Sequence, residues 1–144
     1  MAAESYQTPG SRITIQSLDA RAHLKGRPWL PPLLWAGVIL FATSVPSSLV
    51  PRQLGPYDKV VHFTMYAVLA ALVTVAVLRR GALARWLLVT ALAVSAFGAA
   101  DEWHQQFIPG RSMDVRDWVA DSLGGVTGVL VGSIFFFRSR RSHA

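Results

Sequence analysis

Four apolar stretches free of Asp, Glu, Lys and Arg divide the chain: 28–51, 60–78, 86–100 and 122–137, of 24, 19, 15 and 16 residues. The charges are bunched between and beyond them. A soluble helix would carry a charged face within such a stretch, repeating every three or four residues, and these carry none. The pattern predicts four helices. The first runs from Trp29 or Leu33 to Val50, with Pro31 and Pro32 in its first turn and Pro46 kinking or breaking it near its end. The second runs from Asp58 to Leu78. The third starts near Leu83, and the fourth runs from Asp114 to Phe137. The basic turn Arg79-Arg80-Gly81 and the Pro109-Gly110 turn mark two of the connections.

A hydrocarbon core about 30 Å thick needs roughly 18 or more apolar residues per helical span. Two stretches meet that length. The fold class expected is an all-α membrane protein, a four-helix transmembrane bundle in the cell inner (cytoplasmic) membrane. In 144 residues such a bundle leaves no room for a separate soluble catalytic domain. Residues 1–28 are polar and read as a flexible cytoplasmic tail rather than a secretory signal, with at most a weak interfacial stripe of Ile13, Ile15, Leu18 and Ala22. Residues 29–137 form the membrane domain and 138–144 a basic cytoplasmic tail.

Charge then sets the topology. With four spans, ten of the 14 Lys and Arg residues fall on the side of both termini, against Arg52, Lys59, Arg111 and Arg116 on the other. Both termini are therefore expected in the cytoplasm. The net charge of +6 comes from residues that flank apolar runs, and no nucleic-acid motif accompanies them. Cysteine is absent, which excludes disulfides, thiolate metal sites and a Cys nucleophile. Asp58, Asp101, Glu102, Asp114, Asp117 and Asp121 all gather at the outer end.

The shorter stretches locate candidate chemistry. Fifteen residues span about 22 Å and sixteen about 24 Å as helix, short of the hydrocarbon core. Arg85 and Arg138 can snorkel at the inner end. The deficit then falls at the outer end and submerges Asp101, Glu102 and Asp121, which should face the bundle interior and find partners. Asp114, Asp117 and Asp121 form one helical stripe, continued by Gly124, Gly128 and Gly132. That small-residue face suits close helix approach, within the chain or as a dimer seam. Asp58, His62 and Tyr66 share a face of the second helix. Asp101, His104 and Gln105 share one on the third, with Glu102 and Gln106 beside it, and Arg111 can fold back over the acidic ring. Ser44, Ser47 and Ser48 lack a nucleophile context and are expected to bond carbonyls. His23 and His143 read as solvated.

Together these residues resemble the VanZ-like family of small bacterial membrane proteins. The resemblance rests on Asp58-Lys59-Val60-Val61-His62-Phe63, Asp101-Glu102-Trp103-His104-Gln105, Pro109-Gly110-Arg111-Ser112, and Asp117 with Ala120-Asp121-Ser122-Leu123-Gly124. It covers about residues 33–135. Many members carry Asn where this chain has Asp121. The family is named for a protein associated with resistance to the lipoglycopeptide teicoplanin, and the resemblance supplies a fold and a site more firmly than a reaction.

Three functions stay open. An interfacial enzyme acting on an envelope lipid or lipid-linked precursor would use Asp101 or Glu102 as base, His62 as proton shuttle, Gln105 as orienter and Asp117 within the catalytic group. Lys59, Arg111, Asp58, Asp121 and His104 would contact substrate, with Arg111 as anion clamp. No cofactor is required, but His62, His104, Asp101, Glu102 and Asp121 offer N and O ligands for a divalent metal. A binding module for a lipid headgroup, a lipoglycopeptide or a cell-wall protein would meet anionic ligands with Lys59, Arg111 and Arg116, the acids holding those cations in place, without turnover. A proton-coupled transporter is the third. A purely structural polar cluster locking the helices is the alternative to all of them.

Overall fold

A computed structural model of the protein describes residues 27–50, 57–81 and 84–142. Among these residues the structure is all helical, with four α-helices and no strand. They are α1 (Leu30–Thr43), α2 (Asp58–Arg79), α3 (Arg85–Gln105) and α4 (Val115–Arg141). A 3-10 turn, Ser47–Leu49, follows α1. The expected N-terminal tail and its interfacial stripe, and His23 and His143, lie outside the described residues.

Helix ends follow local chemistry. α1 stops at Thr43, well before the predicted Val50. Pro46 has no N–H to offer and forces Val45 out of helical geometry, so the chain unwinds two residues ahead of it. Ser44 Oγ closes the end by donating to Leu40 O at 2.6 Å, the carbonyl bond expected of it. α4 begins where Asp114 caps it, its carboxylate accepting from Arg116 N at 2.8 Å. It runs one turn past the predicted Phe137, so Arg138, Arg140 and Arg141 belong to the helix. Cations in the last turn complement the negative end of the helix dipole, and Arg140 also lies 5.1 Å over the Phe136 ring.

α2 and α4 share the largest interface, α3 packs on both, and α1 lies mainly against α2. Glycine explains the first pairing. A Cβ at Gly124 would strike Phe63 O, one at Gly128 would strike Ala67 O, and one at Gly132 would come within 2.8 Å of Ala71 O. Three successive turns of α4 thus rest directly on the backbone of α2. This face is filled by α2 of the same chain. α1 is pinned by Trp35 Nε1, which donates to Met65 O at 2.8 Å, and by fully buried Ile39.

The polarity is inverted relative to a water-soluble bundle. The buried side chains include Thr43, His62, Thr74, Thr90, Asp101, Glu102, Gln105, Asp117 and Asp121. Large apolar side chains point outward instead, among them Phe41 at 76% exposure, Leu33, Leu88, Leu92, Leu130 and Phe135. α2 and α4 are each long and apolar enough to cross a membrane, whereas α1 is a shorter apolar helix.

The glycine contacts generate a graded prediction. Gly124→Ala and Gly128→Ala should each destabilise the protein by about 1–3 kcal/mol, because the added methyl must push two helices apart. Gly37→Ala, with nothing within 4 Å, should be neutral or stabilising by up to ~1 kcal/mol. Unfolding of the purified protein in detergent checks this. Equal effects at Gly37 and Gly128 would contradict the packing described.

Candidate functional site

One end of the bundle gathers four buried carboxylates: Asp101 at 1% exposure, Glu102 at 2%, Asp117 at 7% and Asp121 at 0%. The helical stripes bring them together. On α2, His62 and Tyr66 are one turn apart on the buried face, and on α4 Asp117 and Asp121 are likewise. On α3 the buried face is Asp101, Glu102 and Gln105.

Each carboxylate has its own partners. Asp101 accepts from Thr43 Oγ1 at 2.8 Å, from Tyr66 OH at 3.2 Å and from Gln105 Nε2 at 3.4 Å. It is held by three neutral donors from three helices. Glu102 accepts from Gln105 Nε2 through Oε1 at 3.0 Å and from the backbone N–H of Asp114 through Oε2 at 2.9 Å. The Asp114 bond ties the end of α3 to the start of α4. Asp117 pairs with Lys59 Nζ at 2.8 Å, and Lys59 also lies 3.5 Å from Asp114. Lys59 is therefore the cation that stands opposite the acidic stripe of α4. The N–H of Arg116, and with it Lys59, holds the Asp114 carboxyl below the usual carboxylate range, so this surface cap stays ionised at neutral pH.

His62 sits between two acids. Its Nδ1 is 3.0 Å from Asp121 Oδ1 and 3.8 Å from Glu102 Oε1. His62 comes from α2, Glu102 from α3 and Asp121 from α4. The other oxygen of Asp121, Oδ2, is buried with no hydrogen-bond partner. It lies against α3 at Gly98, where a Cβ would come within 3.0 Å of it. Glycine at that position makes room for the carboxylate.

Arg111 folds back as expected, but onto different atoms. Its Nη1 donates to Gln105 Oε1 at 2.9 Å and its Nε to Val45 O at 3.0 Å. Among the described residues it pairs with no carboxylate, because Gln105 stands between it and the acids. The turn that carries it has Pro109, then Gly110 at φ +73°, closed by Arg111 N donating to Ile108 O at 3.0 Å. This is the type II arrangement, whose third position favours glycine. Gly110 also packs against Ser47 Oγ, and Ser47 N donates to Pro109 O at 3.3 Å. The loop after α3 is thereby locked to the end of α1.

Most of the sequence-predicted residues meet: Lys59, His62, Asp101, Glu102, Gln105, Asp117 and Asp121, with Asp58 at the rim near His62 and Asp117. His104 does not join them. It is half-buried at the edge of the α3 face, with Nδ1 unpaired, and belongs to neither of the two groups of donors that converge closely enough for a metal. Gln106 turns outward and donates to Trp103 O. Thr43 and Tyr66 are direct partners of Asp101 that the motifs did not single out. Tyr66 was visible only through its spacing from His62, and Thr43 carried no signal beyond a hydroxyl near a helix end.

A shallow cavity of about 230 Å³ adjoins the cluster, lined by Ala99, Glu102, Met113, Asp114, Val115 and Trp118. Its wall is almost wholly apolar, with Glu102 among the lining residues. A carboxylate that lines such a groove and lies 3.8 Å from an imidazole can pass protons to a group lying in it.

A family model described as VanZ/LLP1 matches residues 12–136. No curated protein and no solved structure matches the chain.

The Asp101 cradle predicts a measurable cost. Thr43→Val keeps the shape of the side chain but removes the donor to a buried carboxylate, and should destabilise the protein by roughly 1–3 kcal/mol in detergent unfolding. Stability equal to the wild type would show that the bond contributes nothing.

Proposed function

We propose, for a chain that belongs to the VanZ/LLP1 family, an acid–base function at the outer membrane–water interface acting on an amphiphilic envelope lipid or lipid-linked precursor. All four helices span the cytoplasmic membrane, with both termini in the cytoplasm. The outward apolar side chains support this reading: facing water they would cost about 25 cal/mol per Å² of apolar surface, and facing lipid they cost little. The ten-to-four bias of Lys and Arg supports the orientation. Lipoglycopeptide tolerance would follow if the substrate is a cell-wall precursor that such drugs bind.

The observation that carries the function is Glu102. Among the described residues it is the one buried carboxylate that both lies near His62 and borders the apolar groove. An acyl or prenyl chain would lie along Ala99, Met113, Val115 and Trp118 and present its polar end to Glu102. Glu102 then exchanges a proton with the headgroup, and His62 relays it, steadied by Asp121. Gln105 orients Glu102 and Asp101, while Lys59 and the N–H groups of Arg111 not held by Gln105 and Val45 O attract the anionic part of the headgroup.

A binding role without turnover has a specific observation in its favour. Asp101, Glu102 and Asp117 already have hydrogen-bond partners inside the protein, as a rigid recognition surface would require. The two readings separate on one experiment. Purified protein in nanodiscs of bacterial polar lipid, supplied with a lipid-linked precursor, should change the mass of a lipid species. Glu102→Gln should slow that change at least ~100-fold with the same melting behaviour. Saturable lipid binding with no change in mass would favour the binding role.

Topology has its own test. Because the chain lacks cysteine, a single introduced one is a unique reporter. Tyr57→Cys should react with an impermeant maleimide in intact cells, and Arg80→Cys only after permeabilisation. The reverse pattern would overturn the orientation.

A further inference from the structure

The ionic balance of the outer cluster is incomplete. Of its four buried carboxylates only Asp117 is matched by a fixed cation, Lys59 at 2.8 Å. Among the described residues no Lys or Arg forms an ion pair with Asp101, Glu102 or Asp121. Asp101 is compensated by three neutral donors. Glu102 and Asp121 share a single imidazole nitrogen, which can carry one proton. Buried charge at such a position is ordinarily paired or bound to a metal.

The geometry matches the second option. A tetrahedral ion with ligand bonds of about 2.0–2.2 Å holds neighbouring ligand atoms roughly 3.3–3.5 Å apart. His62 Nδ1 lies 3.0 Å from Asp121 Oδ1 and 3.8 Å from Glu102 Oε1, and ligand atoms of all three residues fall within 4.8 Å of one another. A second observation points to the same place. Asp121 is fully buried, yet its Oδ2, packed against Gly98, has no hydrogen-bond donor.

We propose that His62, Glu102 and Asp121 bind one divalent transition-metal ion of the zinc class. One nitrogen and two carboxylates from three residues fit zinc with an open position, and fall short of the six to eight oxygens that calcium takes. The neighbouring group of Asp58, His62 and Asp117 is the poorer set, since Lys59 already neutralises Asp117 and Asp58 lies at the rim. The ion replaces the proton shared by His62 and joins α2, α3 and α4 at one point. This deepens the acid–base reading above, because Glu102 both belongs to this set and lines the groove. Zinc binding is read without any lipid substrate, so either idea can fail alone.

The test titrates Zn²⁺ into full-length protein stripped with chelator and held in detergent. One zinc per chain should bind saturably and raise the melting temperature by several degrees. His62→Ala and Asp121→Asn should each weaken binding at least tenfold, and His104→Ala, which removes a half-buried imidazole outside the set, should change it less than twofold. Should the first two variants not fold, the wild-type titration decides. Absence of saturable one-to-one binding, or loss of it in His104→Ala, overturns the proposal.

Discussion

Everything at the polar end of the bundle depends on how closely α4 approaches α2. Gly124, Gly128 and Gly132 leave no side chain between the helices, so the backbone of α4 meets Phe63, Ala67 and Ala71 directly. In lipid no hydrophobic effect drives helices together, and dispersion between closely fitted surfaces must do so. The close approach also sets the site. One to two turns above the glycines, the same two faces carry Asp117 and Asp121 on α4 and Lys59 and His62 on α2. Short side chains such as Asp reach across only because the backbones are already near. The 2.8 Å Lys59–Asp117 and 3.0 Å His62–Asp121 contacts are consequences of that packing.

α3 and α1 complete the enclosure. α3 contributes Asp101, Glu102 and Gln105, and α1 closes over them with Thr43. The Pro109-Gly110 turn fastens the loop after α3 to the end of α1, while the Asp114 N–H fastens α3 to α4 through Glu102. A polar network of this kind is costly if any member is left out, because a buried unpaired group keeps its full desolvation penalty. The unmatched Oδ2 of Asp121 therefore stands out against a network otherwise closed at Asp101 and Glu102.

Much of this was legible in the sequence, because helical period turns spacing into faces. Spacing alone puts Asp58, His62 and Tyr66 on one face of α2, and Asp117, Asp121 and the glycines on one face of α4. The charge-free stretches located the helices, and Pro46 marked the break in α1. What could not be read depended on which atoms meet across the bundle. Arg111 carries a charge that invites a carboxylate, yet Gln105 reaches it first. His104 lies at the edge of the buried face of α3, and a rotation of a few tens of degrees decides whether it joins. Thr43 matters only because α1 ends beside Asp101. The glycine stripe announced close packing but not its partner, which is α2 of the same chain.

His62 and Asp121 form one interacting unit across the α2–α4 seam. A double-mutant cycle of His62→Ala and Asp121→Asn, read as unfolding free energy in detergent at neutral pH, measures that coupling. Residues in contact within one network couple by about 0.5–3 kcal/mol, whereas distant ones add within about 0.3–0.5 kcal/mol. A coupling above ~1 kcal/mol is the predicted result. Strict additivity of the two substitutions would contradict it.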